Sequence, residues 1–145
     1  MIAVDTNILV YACDESSSMH ERARTAMDRL VSEPAWGLPW IVVGEFYSVL
    51  TDGRIWREPQ VDAALAALDA WIATPGARLL SEPPGHWPRL RALLANARPL
   101  GPKVHDARIA AVCLAAGVTE LWSTDGDFSW YPELRVRNPL VDPPG

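Results

Sequence analysis

The chain has 145 residues, 49% hydrophobic and 21% charged, which predicts one globular domain with its own core and excludes disorder. Net charge is −5 but uneven: residues 1–73 carry 11 acidic against 5 basic side chains, and residues 74–145 carry 7 against 8. Two cysteines exclude a disulfide framework, no apolar run reaches the about 20 residues of a membrane span, and Met1-Ile2-Ala3-Val4-Asp5 lacks the basic start of a secretory signal. A soluble chain of the reducing cytoplasm, with no membrane contact, is the expectation.

In chain order, Ile2-Ala3-Val4 predicts a short strand and residues 6–11 a helix directly after it. Residues 14–18 form a polar loop. Ser18 and Glu21 have capping-box spacing, which predicts a helix from 18 to about 32. A third helix runs from Pro39 or Trp40 to about 51. Pro59 suits the first turn of a fourth, which carries Val61, Leu65, Leu68 and Trp71 at helical spacing. A strand over 77–81, a helix over 86–97 and a loop over 98–102 follow. A helix over 105–116 is closed by Gly117, then come a strand over 119–124 and an edge strand over 134–137. Strands alternating with helices predict a single α/β domain over 1–145, with a central, mainly parallel sheet flanked by helices.

A few carboxylates stand where solvent would not readily take them. Asp5 ends an apolar strand, a position where open α/β sheets bind ligands, although a helix cap explains it equally well. Glu45 lies on a helix apolar nearly all round, so burial is expected, with a partner such as Arg108 or an opening onto a cleft. Gly44 beside it points to close approach of another backbone. Asp106 sits in the first turn of another apolar helix, where the macrodipole alone favours it. Asp125 and Asp127 flank Gly126, an ordinary turn signal.

Taken together, two acids at strand ends and two on flanking helices point to convergence. Carboxylates about 4 Å apart repel by roughly 4 kcal/mol at an effective dielectric of 20, so a cation or retained protons must relieve them. All-oxygen ligands favour Mg²⁺, with Mn²⁺ as substitute, over zinc. Such metals activate water for in-line attack on a phosphodiester.

These residues resemble a known family. Asp5-Thr6-Asn7, Glu45-Phe46, His105-Asp106-Ala107-Arg108 and Thr124-Asp125-Gly126-Asp127-Phe128, in that order and spacing, are similar to the PIN domain and specifically to VapC toxins. The resemblance implies a PIN-like α/β/α fold and a Mg²⁺-dependent endoribonuclease of RNA. It also implies a dimer restrained by a VapB-type antitoxin. By position, Asp5, Glu45, Asp106 and Asp125 would be catalytic and metal-binding, Asp127 an accessory ligand, and Thr6, Asn7 and Thr124 supporting. Many relatives carry a basic residue where this chain has Gly126.

Residues 78–108 hold six basic side chains against two acidic ones, which makes Arg98, Lys103 and Arg108 candidates for RNA contact. His105 is a candidate proton shuttle or a local helix-end partner, and Trp56 and Trp130 are minor candidates for base stacking. The third helix, with the one starting near Ser18, is the expected apolar groove for an antitoxin. Two rivals remain: a non-catalytic PIN-like module that binds RNA or protein, and a Mg²⁺-dependent phosphatase. The second needs an acid two residues after Asp5, where this chain has Asn7.

Overall fold

The computed structural model describes residues 1–141, apart from the side chains of Asp127 and Trp130. Five strands form one sheet: β1 (Ile2–Val4), β2 (Trp36–Pro39), β3 (Ala77–Leu80), β4 (Glu120–Trp122) and β5 (Val136–Arg137). Their order is β3-β2-β1-β4-β5, and every pairing is parallel. Six α-helices join them: α1 (Thr6–Cys13), α2 (His20–Leu30), α3 (Trp40–Leu50), α4 (Val61–Ile72), α5 (His86–Ala97) and α6 (Val104–Ala115). Short 3-10 turns occupy Gly101–Lys103 and Gly126–Trp130. The α/β class and the edge placement of the last strand agree with the sequence reading.

The core runs along both faces of the sheet. Ala3, Val4, Trp36, Leu38 and Leu121 come from the strands, and Ile8, Leu9, Met27, Phe46, Ile109 and Val112 from the helices. Phe46 meets Trp71 edge to face, with ring centroids 5.4 Å apart. The close of α6 follows the expected pattern. Gly117 has φ 73°, and the amides of Gly117 and Val118 bond to the carbonyls of Leu114 and Cys113 at 3.2 and 3.0 Å. That is a Schellman cap, and a side chain at Gly117 would be strained.

Several local expectations are corrected. No capping box forms at Ser18: Met19 occupies the cap position without a side-chain bond, and Ser17 Oγ accepts from its amide at 3.1 Å. The fourth helix starts at Val61, two residues beyond Pro59. Helix α3 is not enclosed; it buries only Val42, Phe46 and Leu50, while Trp40 is 50% and Tyr47 38% exposed. A Cβ on Gly44 would meet nothing within 4 Å, so no backbone approaches there. Helix α2 turns a polar face outward, with Glu21, Arg22, Arg24, Thr25, Asp28 and Arg29 exposed. Exposed apolar side chains occur on α4 as well, at Val61 and Leu65.

Candidate active site

In this strand order the chain leaves β1 toward β2 on one side, while β4 and β5 extend the sheet on the other. The carboxyl ends of β1 and β4 therefore meet at the topological switch point, where a crevice opens beyond an α/β sheet. Asp5 follows β1, and Ser123, Thr124 and Asp125 follow β4. The Asp5 amide donates to the Trp122 carbonyl at 2.9 Å, which holds the two strand ends together.

A chain of hydrogen bonds crosses the switch point. Asp5 Oδ1 accepts from the Thr6 amide at 2.8 Å, and Oδ2 from the Ser123 hydroxyl at 2.7 Å. The Asp125 amide donates to Ser123 Oγ at 3.0 Å. On the other side, the Thr6 hydroxyl donates to Glu45 Oε2 at 2.7 Å, which ties α1 to α3. Asp5 thus caps α1 and faces the crevice at once, so the two readings of this residue are not exclusive.

Electrostatics set Asp5 apart. It is 5% exposed, and burial lifts its carboxyl from 3.8 to about 6. The bonds from Ser123 and Thr6 oppose that rise, while the charges of Glu45 and Asp125 add to it. Three of the four candidate acids are therefore electrostatically coupled. Asp106 is half-buried in the first turn of α6. Among the described residues no group of three or more His, Cys, Asp or Glu side chains meets the geometry of a metal site. The side chain of Asp127 lies outside the described residues.

Ser123 is the contributor that sequence reasoning missed. It is 2% exposed and bridges Asp5 to the Asp125 amide. A polar residue directly after an apolar strand, two positions before an acid, was the available signal. Of the expected supporting residues, Thr6 holds Glu45, Thr124 is half-buried beside Asp125, and Asn7 is exposed on α1. A cavity of about 330 Å³ adjoins Asp125, with Thr124, Phe128, Tyr131 and Asn138 among its walls.

The expected basic contacts divide. Arg108 pairs with Glu82 at 3.3 Å, not with Glu45. Arg98 is exposed in a left-handed conformation, φ 49°, where its amide caps α5 through Leu94 at 2.9 Å. Lys103 is exposed at the entrance to α6, one turn from Asp106. His105 is exposed on that first turn. Trp56 is half-buried with its indole nitrogen enclosed, and the side chain of Trp130 is outside the described residues.

The PIN domain family model matches residues 2–134. A VapC ribonuclease of Mycobacterium bovis is 36% identical over 143 residues, which cover 97% of this chain and 96% of the relative. Ribonuclease VapC48 of Mycobacterium tuberculosis is 28% identical, with 94% and 95% covered. Among solved structures, the sarcin-ricin loop cleaving toxin VapC20 of Mycobacterium tuberculosis superposes with a TM-score of 0.70 at 22% identity, covering 93% of this chain and 99% of that one. The VapBC2 complex of Rickettsia felis, bound to a promoter DNA fragment, gives 0.68 at 18% identity, covering 95% and 98%. Those two likenesses show the fold. A five-stranded parallel sheet with paired acids at its switch point, a family match across nearly the whole chain and a 36% identical relative agree: the chain belongs to the PIN-domain family, among the VapC proteins.

Proposed function

We propose that this protein is a Mg²⁺-dependent endoribonuclease toxin, with Mn²⁺ as a substitute metal, held inactive in the cytoplasm by a VapB-type antitoxin. The observation that carries the reading is the buried Asp5 carboxyl, bonded by Thr6 and Ser123 and pressed upon by the charges of Glu45 and Asp125. A fold keeps like charges this close when a cation relieves them, and an all-oxygen donor set suits a hard divalent ion. Asp5, Glu45, Asp125 and Asp106 would hold it, with Asp127 as an accessory ligand. Once bound, the ion would supply charge to polarise a phosphoryl oxygen and to lower the pKa of a water it holds.

The chain's own residues do the positioning. Ser123 and the Thr6 amide fix both oxygens of Asp5, so its carboxylate needs no reorganisation when substrate arrives. Thr6 orients Glu45 across from it. Lys103 and Arg98 stand at and before the start of α6, where the backbone of a single strand would pass, whereas Arg108 serves first to hold Glu82. An antitoxin finds apolar footing on α3, the helix that carries Glu45, where Trp40 and Tyr47 are exposed. Self-association into a homodimer belongs to the same proposal.

Incubation of the purified chain with mixed RNA in Mg²⁺ and in EDTA tests the reading. Discrete fragments only with metal support it. Retention of RNA without cleavage would instead identify a binding module, and phosphate release from a small monoester a phosphatase. Added antitoxin should stop the cleavage.

A further inference from the structure

A second cavity, of about 500 Å³, lies between α2 and the segment following β5, away from the face that carries Asp125. One wall is α2, with Arg22 and Arg29 on either side of Ala26 at helical spacing. The facing wall includes Arg137 and Leu140, and Trp122 of β4 lies between. Arg22 donates from Nη1 to the Leu140 carbonyl at 3.2 Å, which pins its guanidinium to the wall. Among the described residues, two arginines of α2, Arg22 and Arg29, thus line the cavity with one acid, Glu21, in a chain whose net charge is −5. Trp122 is 5% exposed, and its indole Nε1–H has no hydrogen-bond partner among the described residues. Buried donors without acceptors are rare and call for an explanation.

The pocket is joined to the acid site through the backbone. Trp122 precedes Ser123, and its carbonyl receives the Asp5 amide. Asp125 is three positions further along the chain, so their Cα atoms lie within about 11 Å. Successive side chains of a strand point to opposite faces. Trp122 and Arg137, which pair across β4 and β5, therefore face α2, while Ser123 and Val136 face the acid side.

We propose that this pocket binds a backbone phosphate of the RNA strand, one or two nucleotides from the bond that is cut. The inference rests on the ribonuclease reading for its ligand. Arginine forks match phosphate oxygens bidentately, and a volume of about 500 Å³ accommodates a phosphate with its adjoining sugar.

The test measures binding of a single-stranded RNA oligonucleotide across a salt series, in a Glu45→Gln background that does not cut. Arg22→Gln with Arg29→Gln should reduce the salt slope by about 0.7 for each lost contact. At 0.1 M salt that pair should bind about 25-fold more weakly, converging with the parent near 1 M. Arg78→Gln with Arg89→Gln removes the same charge, Arg78 lying on the edge strand at the other side of the sheet, and should leave the slope unchanged. If the first pair melts early, Arg29→Gln alone should give half the change and Arg22→Lys none. Equal losses in both pairs, or no change in the first, would overturn the proposal. So would weakened antitoxin binding with an unchanged RNA slope, which would make the occupant a protein. Cleavage by the unmodified chain in Mg²⁺ decides the nuclease reading separately, so the two can fail independently.

Discussion

Helix α6 is enclosed along most of its circumference, with Ala107, Ile109, Ala110, Ala111, Val112 and Cys113 buried, whereas α3 encloses only Val42, Phe46 and Leu50. Both are apolar, and each carries one candidate acid. The difference lies in side-chain size and neighbours. The alanines of α6 let it lie close to α5, α3 and β2, while the bulk of Trp40 and Tyr47 on α3 stays outward. Enclosure therefore follows what a helix can fit against, and apolarity alone does not decide it. The enclosed helix belongs to the core, and the open one leaves bulky apolar side chains at the surface.

The largest expected effect tests whether both helices serve the same chemistry. Glu45→Gln on α3 and Asp106→Asn on α6 should each lower Mg²⁺-dependent RNA cleavage by about 10²–10⁴-fold. Full activity in Asp106→Asn alone would confine the site to the three coupled acids. Thr6→Val, which removes the hydroxyl that orients Glu45, should cost about 10–100-fold.

Unfolding in denaturant separates the helices by packing. Ile109→Ala on α6 should cost about 2–5 kcal/mol, and Tyr47→Ala on α3 less than about 0.5 kcal/mol in the isolated chain. A large loss from Tyr47→Ala would show that α3 is covered even without a partner.

Asp5, bonded to the residue that holds Glu45, gives the acid site a pH signature. Its carboxyl is raised from 3.8 to about 6, so its proton stabilises the fold at low pH and that stabilisation disappears as pH rises through 6. In EDTA, the unmodified chain should lose about 2.4 kcal/mol relative to Asp5→Asn between pH 4 and pH 7. Parallel pH profiles for the two proteins would disprove the shift.

The smallest effects concern two glycines. Gly44→Ala, in open space within α3, should stabilise by up to about 1 kcal/mol. Gly117→Ala, at φ 73° after α6, should destabilise by about 1 kcal/mol. Thermal melts that move the same way for both would contradict the comparison.

Much of the layout was legible in the residues. Apolar runs broken by polar loops marked β1, β3 and β4, and the glycine at 117 marked the end of α6. Strand β2 was not legible, because Trp36-Gly37-Leu38-Pro39 contains two strand-breaking residues and no alternation. It lies between β1 and β3 and is buried throughout, and Gly37 fits because a Cβ there would press on Ala3 and Leu80. The acids at positions 5, 45 and 125 could be read as a set from strand ends and an apolar helix. Ser123 escaped notice because its role depends on two strands separated by 118 residues meeting side by side.

That same separation has a temporal consequence. The first strand made becomes the middle of the sheet, and its Val4 must wait for Trp122 as partner. At about 5–20 residues per second, roughly 6–24 s pass between synthesis of Asp5 and of Ser123. A ribosome that stalls before position 120 releases a product with neither β4 nor the serine that secures Asp5. Truncated translation products of the proposed nuclease should therefore be inert.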